Sequence, residues 1–515
     1  MKSHCPNLNI IFFVIFLFGS LGVGKSSWAA NWYVDNAATG SNNGTSWANG
    51  WRSFTQVVWG GSGVVAGDTL YISGGSVSKT YTATSHNMLT ISASGSPGKP
   101  ITVATGGKSP SPSGHDGQVI LDGNGSYAGL VSSIGSNYLV IDGEKNGQRN
   151  LKLYNIKLGD DYGAMDISQG IDPIVRYVEI ETAPIGIAFT SGSGGEIAYC
   201  YLHDIRREAA IRLNMTNGLT IGYDQTLVHD NVISLNSKMD GGGTGPNGIQ
   251  GCYGLSVYNN TFTHSLAPIE GGQHSDFIQG QAHYLKIYNN DFKNITDSAV
   301  DFDGGGNTGW IQIWNNMFHV TSDLSVSLPT AIRIYSNSGA VTSFNDISIY
   351  NNTFVDVLGT TPVAFGYGGG NPSVSSVAIK NNIFYNTGRF QNNASLNIPA
   401  RTGGGSWDID YNLVSAGAHG EATLVVDGLS FIQAHGQAGT PIFVSYSERS
   451  NGNDFHLMAG DTSVRGLGIP LGVPYNYDKD GIPRPHGSAW DIGAYEYVQG
   501  EDTTPPAAPT GLRVN

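Results

Sequence analysis

Short runs of apolar residues with polar ones between them recur through the middle of the chain, each broken by Gly, Asn, Ser or Thr before ten residues. That rules out long amphipathic helices, and the alternation predicts short strands. The stretch Leu255-Ser256-Val257-Tyr258-Asn259-Asn260-Thr261-Phe262 returns as Leu285-Lys286-Ile287-Tyr288-Asn289-Asn290-Asp291-Phe292, and again at 311–318, 347–354 and 377–384. The second Asn falls at 260, 290, 316, 352 and 382, giving spacings of 30, 26, 36 and 30. Each unit reads as strand, polar corner, strand. Repeats of this length predict a coil whose turns stack their strands in parallel, because one turn cannot bury its apolar face alone. The asparagines are expected inside, each amide bonded to the next, as a structural ladder rather than a glycan-binding stripe.

A second strand recurs in each turn, found by aligning an apolar–x–apolar core: Met165-Asp166-Ile167, Ile187-Ala188-Phe189, Ile211-Arg212-Leu213, Ile249-Gln250-Gly251, Ile278-Gln279-Gly280, Val300-Asp301-Phe302, Ile332-Arg333-Ile334 and Val363-Ala364-Phe365. Alternation turns the middle residue outward. The outward column is then Asp166, Ala188, Arg212, Gln250, Gln279, Asp301, Arg333, Ala364, bland at both ends and polar in its centre. Two residues on, the same face carries Asn214, Cys252, Gln281, Asp303 and Tyr335. With strands ~4.8 Å apart, Arg212 to Arg333 covers roughly 19 Å, the reach of several sugar units. Arg206, Arg207 and Glu208 precede one of these strands, and His274, Ser275 and Asp276 another; the excursion 236–246 is placed to wall a cleft.

Composition narrows the class. Charged residues make up 13% of the 515, aromatics 10%, and 72 are glycine without a three-residue period, which excludes disorder and collagen. A net charge of −14 argues against nucleic acid as a partner. Residues 1–29 read as a signal peptide: Lys2, an apolar run over 10–18, and Ser27-Trp28-Ala29. Nine apolar residues span only ~14 Å of helix, too short for a membrane anchor. The expectation is a secreted or periplasmic protein, soluble once the signal is removed and monomeric. Cys200 and Cys252 are expected as buried free thiols.

The repeat resembles the secreted right-handed parallel β-helix (pectate-lyase-like) superfamily over roughly residues 31–498. The opening Trp32-Tyr33-Val34-Asp35, with Gly44-Thr45-Ser46-Trp47 and Gly67-Asp68-Thr69-Leu70-Tyr71-Ile72, looks like its bacterial N-terminal flank. Asp478-Lys479-Asp480-Gly481, Arg484 and Asp491-Ile492-Gly493-Ala494-Tyr495-Glu496 look like its C-terminal cap. The resemblance implies an all-β fold: a right-handed single-stranded parallel β-helix (a solenoid) with N- and C-terminal capping regions. The divisions expected are 31–110 for the N-terminal cap, 111–415 for the β-helix core and 416–498 for the C-terminal cap. Residues 499–515 read as a Pro-rich linker running into a fibronectin-type-III-like module.

Three functions suit this chain. The first is β-elimination on a uronate-containing polysaccharide, in which the carboxylate is neutralised, the C5 proton removed and the leaving oxygen protonated. Arg212 and Arg333 supply cations of the fork geometry that carboxylates prefer; alternatively Asp301 and Asp303 hold Ca²⁺, a hard ion wanting oxygen ligands. His274 or Tyr335 is the expected base. Arg207, Arg212, Gln250, Gln279 and Gln281 would bind the chain. Resemblance to the superfamily's lyases and uronate epimerases implies the same class. The second is hydrolysis: Asp301 and Asp303 stand i,i+2 on one face, roughly 6.8 Å apart, within the range of inverting glycosidases. The order Asp276, Asp301/Asp303, Arg333-Ile334 is similar to polygalacturonases, without their Gly-His-Gly turn. The third is a non-catalytic glycan-binding or adhesin solenoid, which the fibronectin-like tail and the −14 charge fit.

Overall fold

The computed structural model describes residues 29–499 apart from 159–161, 191, 214–225, 236–245, 265–274, 304–306, 322–328, 336–342, 359–360, 368–372, 389–395 and 399–404. The signal segment through residue 28 and the linker from residue 500 lie outside it. Among the described residues there is no α-helix, only two three-residue 3-10 turns, and no helix long and apolar enough to cross a membrane.

The chain winds as a parallel β-helix. Among the described residues most of its strands fall in a 26-stranded and a 12-stranded sheet. The larger contains two parallel stacks, here called sheets I and II, joined by strands such as Ile278–Tyr288, which pairs with Ser298–Asp303 in sheet I and with Asn307–Trp314 in sheet II. The smaller is sheet III, running from Ser78–Thr82 to Leu413–Ser415. Phe262, Phe292, Phe318, Phe354 and Phe384 of sheet III stack through the interior with centroids 4.7–4.9 Å apart, every ring fully buried. Cys200 is a buried free thiol, and burial pushes its pKa up to about 12; the side chain of Cys252 lies outside the described residues.

The two asparagines of each repeat do different work. The first adopts a left-handed backbone at the corner between sheets II and III, with φ of 55° at Asn259, 57° at Asn289 and 54° at Asn315. Asn tolerates that region better than most residues. The second points inward. Asn290 Nδ2 and backbone N–H both donate to Asn316 Oδ1 (3.0 and 2.9 Å), and Asn316 repeats this toward Asn352. The ladder runs from Asn231 through Asn412 and closes on Gln433 Oε1, which accepts from Asn412 Nδ2 at 2.8 Å.

Beyond Gln433 the chain folds back along the outside of sheet III. Phe443, Phe455, Leu457, Val464, Ile492 and Ala494 pack on Met317, Val355, Ile383 and Leu413. Asn315 Nδ2 donates to the Tyr477 carbonyl (2.8 Å), and Asn381 exchanges hydrogen bonds with Ile469. The closing motif supports this return. Asp478 Oδ1 accepts the N–H groups of Asp480 and Ile482 around Gly481, whose φ is +82°. Arg484 pairs with Glu496 at 2.7 Å, both fully buried.

Two outcomes follow. Asn316→Leu should leave the Asn290 N–H without an acceptor and take one bond each from the Asn290 amide and the Asn352 oxygen, which keep their bonds to the Val257 carbonyl and to the backbone N–H of residue 316. Stability should fall by about 1–3 kcal/mol, the cost of one buried group left unpaired. Denaturant unfolding checks this; a loss under ~0.5 kcal/mol would refute it. His456 stacks on Tyr495 and binds Asp454 and Asp480. Burial opposes its charge, but the two carboxylates prevail and raise its pKa to about 9. Its contribution should be complete below about pH 6.5, the unfolded value, and fade as pH rises through about 9. The melting-temperature gap between wild type and His456→Gln should therefore close over that interval.

Candidate active site on sheet I

The corner between sheets II and III is only two residues long, as at Asn259-Asn260 between Leu255–Tyr258 and Thr261–His264. The long connections instead attach at the two edges of sheet I, between Leu213 and Thr226, Leu235 and Asn247, His264 and Ile278, His319 and Thr330. Loops gathered along one face of a rigid scaffold are where binding residues concentrate.

Strand register builds the outward row directly. Asp166 pairs with Ala188, Ala188 with Arg212, Arg212 with Gln250, Gln250 with Gln279, Gln279 with Asp301, Asp301 with Arg333 and Arg333 with Ala364. In the neighbouring row Asp303 pairs with Tyr335 along the backbone. Gln281 departs from its expected place. The strand Ile278–Tyr288 carries one extra residue, so Cys252 pairs with Ala282 and Gln281 drops out of the row. His274 lies outside the described residues, as do the side chains of Asp303, Tyr335 and Gln281.

Arg333 is the centre of the site. Its Nε and Nη2 donate to Asp301 Oδ1 and Oδ2 at 3.2 and 2.7 Å. Nη1 and Nη2 reach Asp297 at 3.3 and 3.5 Å, and Asp276 Oδ1 stands 3.8 Å from Nη2. Burial alone would favour the neutral guanidine, but the hydrogen bond to Asp301 and the charges of Asp301, Asp297 and Asp276 hold its pKa above the ordinary arginine value. Three carboxylates thus face one guanidinium.

The exposed face expected from alternation needs correcting at two of its polar positions. Asp301 is 0% exposed and Gln250 only 7%. Asp301 points outward by register, yet Arg333 binds both its oxygens and the cluster closes over it. A surface pair worth ~0–1 kcal/mol is therefore the wrong description; this is a buried pair. Arg333 and Asp297 keep 17% and 22% of their side chains exposed. Gln279 is half-buried and accepts from Asn247 Nδ2 at 2.7 Å. Arg207 is half-buried just before the strand Ala209–Leu213. Arg212 keeps 33% exposed and meets Glu208 at 3.1 Å.

Two elements escaped the reading of the sequence. Asp297 sits just before the strand Ser298–Asp303, where no period marks it. Asn247 and Asp276 begin a second, shorter ladder: Asn247 Oδ1 accepts the Asp276 N–H (3.0 Å) and Asp276 Oδ1 the Ser298 N–H (3.1 Å). Asp276 therefore holds the corner as well as facing Arg333.

Carboxylate oxygens suit Ca²⁺ by type; here both oxygens of Asp301 accept from Arg333, and the side chain of Asp303, the other expected ligand, lies outside the described residues. Among the described residues, Glu179, Glu181 and His203 on the outside of sheet III are close enough to share an ion. Lys152 already bridges the two glutamates at 2.9 and 2.5 Å.

No protein-family model matches the chain, and no curated protein matches it. Among solved structures it is similar to pectate lyase Pel9A, at 16% identity over 92% of this chain and 97% of that one, with a TM-score of 0.43. It is also similar to a mannuronic acid specific polysaccharide family 6 lyase from human gut microbiota, at 14% identity over 77% and 86% of the two chains and a TM-score of 0.45. The family 6 polysaccharide lyase Pedsa3628 of Pseudopedobacter saltans gives 13% identity over 77% and 96%, with a TM-score of 0.45. These structural neighbours are polysaccharide lyases. The fold assignment itself rests on the strand pairing given above.

The buried pair yields a stability outcome. Asp301→Ala should cost about 3–5 kcal/mol by stripping Arg333 of its bidentate partner. Arg212→Gln should cost no more than ~1 kcal/mol. Equal, small shifts in melting temperature for both variants would contradict the burial of Asp301.

Proposed function

We propose that the protein is a secreted lyase that cleaves a uronate-containing polysaccharide by β-elimination on the outer face of sheet I. The observation that carries this reading is the row itself. Two arginines, Arg212 and Arg333, stand four strand steps apart with the amides of Gln250 and Gln279 and the carboxylate of Asp301 between them. Evenly spaced cations and amides along an extended face match a polymer with repeating carboxylates and hydroxyls. The signal-like start of the chain supports export.

Arg333 is the group to meet the uronate carboxylate at the cleaved bond. Asp301 and Asp297 fix the plane of its guanidinium and keep it charged, so stabilising the charge that develops after proton loss costs little reorganisation. His274 or Tyr335 takes the C5 proton in this reading. Hydrolysis is the second reading, favoured by the excess of carboxylates over cations around Arg333, since hydrolysis uses a pair of carboxyl groups. A glycan-binding solenoid is the third, and it would release no product.

The purified protein incubated with polygalacturonate, alginate and neutral glucans separates these readings. The account expects shorter, unsaturated products from a uronate polymer and none from the neutral chains. Arg333→Lys, which keeps the charge and loses the fork, should lower kcat at least about 10²-fold. New reducing ends without unsaturation would establish hydrolysis instead, and binding without products would leave a lectin-like solenoid. Cleavage that stops on chelation and returns with calcium would mean that Asp301 exchanges Arg333 for an ion.

A further inference from the structure

The two arginines of the row are not equivalent. Arg333 contacts three carboxylates. Among the described residues Arg212, four strand steps away, has a single carboxylate contact, Nη1 to Glu208 Oε2 at 3.1 Å, and it exposes a third of its side chain. On one side of it the row is Ala188, small and buried. On the other, paired in register, is Gln250.

Gln250 supplies an independent observation. Only 7% of it is exposed, and its Oε1 is buried with no hydrogen-bond partner among the described residues. A buried acceptor left without a donor costs on the order of 1–3 kcal/mol and calls for an explanation, usually a missing water, ion or ligand. The next amide along, Gln279, shows the contrast, because its Oε1 is already taken by Asn247.

From these contacts we infer that Arg212 and Gln250 form a recognition subsite for a uronate unit three strand steps, roughly 14 Å, from Asp301. Arg212 reads the carboxylate and Gln250 accepts a hydroxyl of the same or the adjoining ring. The inference rests on reading sheet I as the saccharide face, and it assigns Arg212 to binding rather than to the cleaved bond. A uronate offers both partners within one strand spacing, a planar carboxylate for the fork and an O–H donor for the orphan oxygen. A neutral sugar offers only the second. Glu208 sets the strength of the subsite, since it competes with the incoming carboxylate for the same guanidinium.

Calorimetric titration with oligogalacturonates, oligomannuronates and neutral cello-oligosaccharides of matched length tests this on the full mature chain. Arg212→Gln should weaken uronate binding about tenfold or more, as expected for a lost charge-assisted bond. Gln250→Leu should weaken it by about two- to tenfold, the range for a neutral bond. Glu208→Gln should tighten it, an effect a purely structural Glu208–Arg212 pair would not give. Melting temperatures report folding of each variant. Uronate affinity unchanged in Arg212→Gln, or equal losses for neutral and uronate oligomers, would overturn the subsite. Unchanged affinity in Gln250→Leu would overturn the role of Gln250, leaving its oxygen to a buried water. Failure of the lyase reading looks different: uronate oligomers would bind with these dependences and yet remain uncut.

Discussion

From the turn of Cys200 to that of Gln433, the coil is held in register by side-chain amides inside it. Each ladder asparagine from Asn260 to Asn412 accepts two N–H groups from the turn before and donates to carbonyl oxygens, as Asn316 does to Ile287 and Trp314. A slip of one residue between turns would break several such bonds at once and bury the outward residues of every strand. The ladder therefore fixes register, and register lines Arg212, Gln250, Gln279, Asp301 and Arg333 into one row. The Phe column adds apolar burial on the same pitch.

The outer return of the chain is a second consequence of that corner. The first asparagine of a repeat is exposed at Asn259, while at Asn315 and Asn381 its side chain binds the returning segment and at Asn289 its carbonyl accepts from Lys479 Nζ at 2.8 Å. Residues 443–497 cover the outside of sheet III in this way. Sheet I bears the long connections, the partly exposed arginines and the aspartate cluster. Cover on one flank and long connections on another follow from a coil with three unequal corners.

Much of this was legible in the chain. Apolar anchors at i and i+2 repeat in every turn, so the row from Asp166 to Ala364 could be read before any coordinates, residue for residue. What was not legible has physical reasons. Asp297 and the Asn247–Asp276 ladder sit at the ends of variable connections, where no period marks them. The burial of Asp301 depends on how the Arg333 side chain lies, a rotamer choice that alternation does not encode. The extra residue at Gln281 is a bulge, which shifts faces without altering composition. The return of the closing segment along the coil was hidden because it packs against residues more than a hundred positions earlier, as Arg484 does on Asn315 and Ala494 on Thr353.

The central claim is that a uronate polymer lies along sheet I. Hydrogen exchange with and without saturating uronate oligosaccharide, on a variant that binds without turnover, tests it most directly. The account predicts added protection in the sheet I strands Ala209–Leu213, Asn247–Tyr253, Ser298–Asp303 and Thr330–Tyr335, and none along sheet III or the returning segment. Protection centred on sheet III or on residues 443–497, with sheet I unchanged, would contradict it.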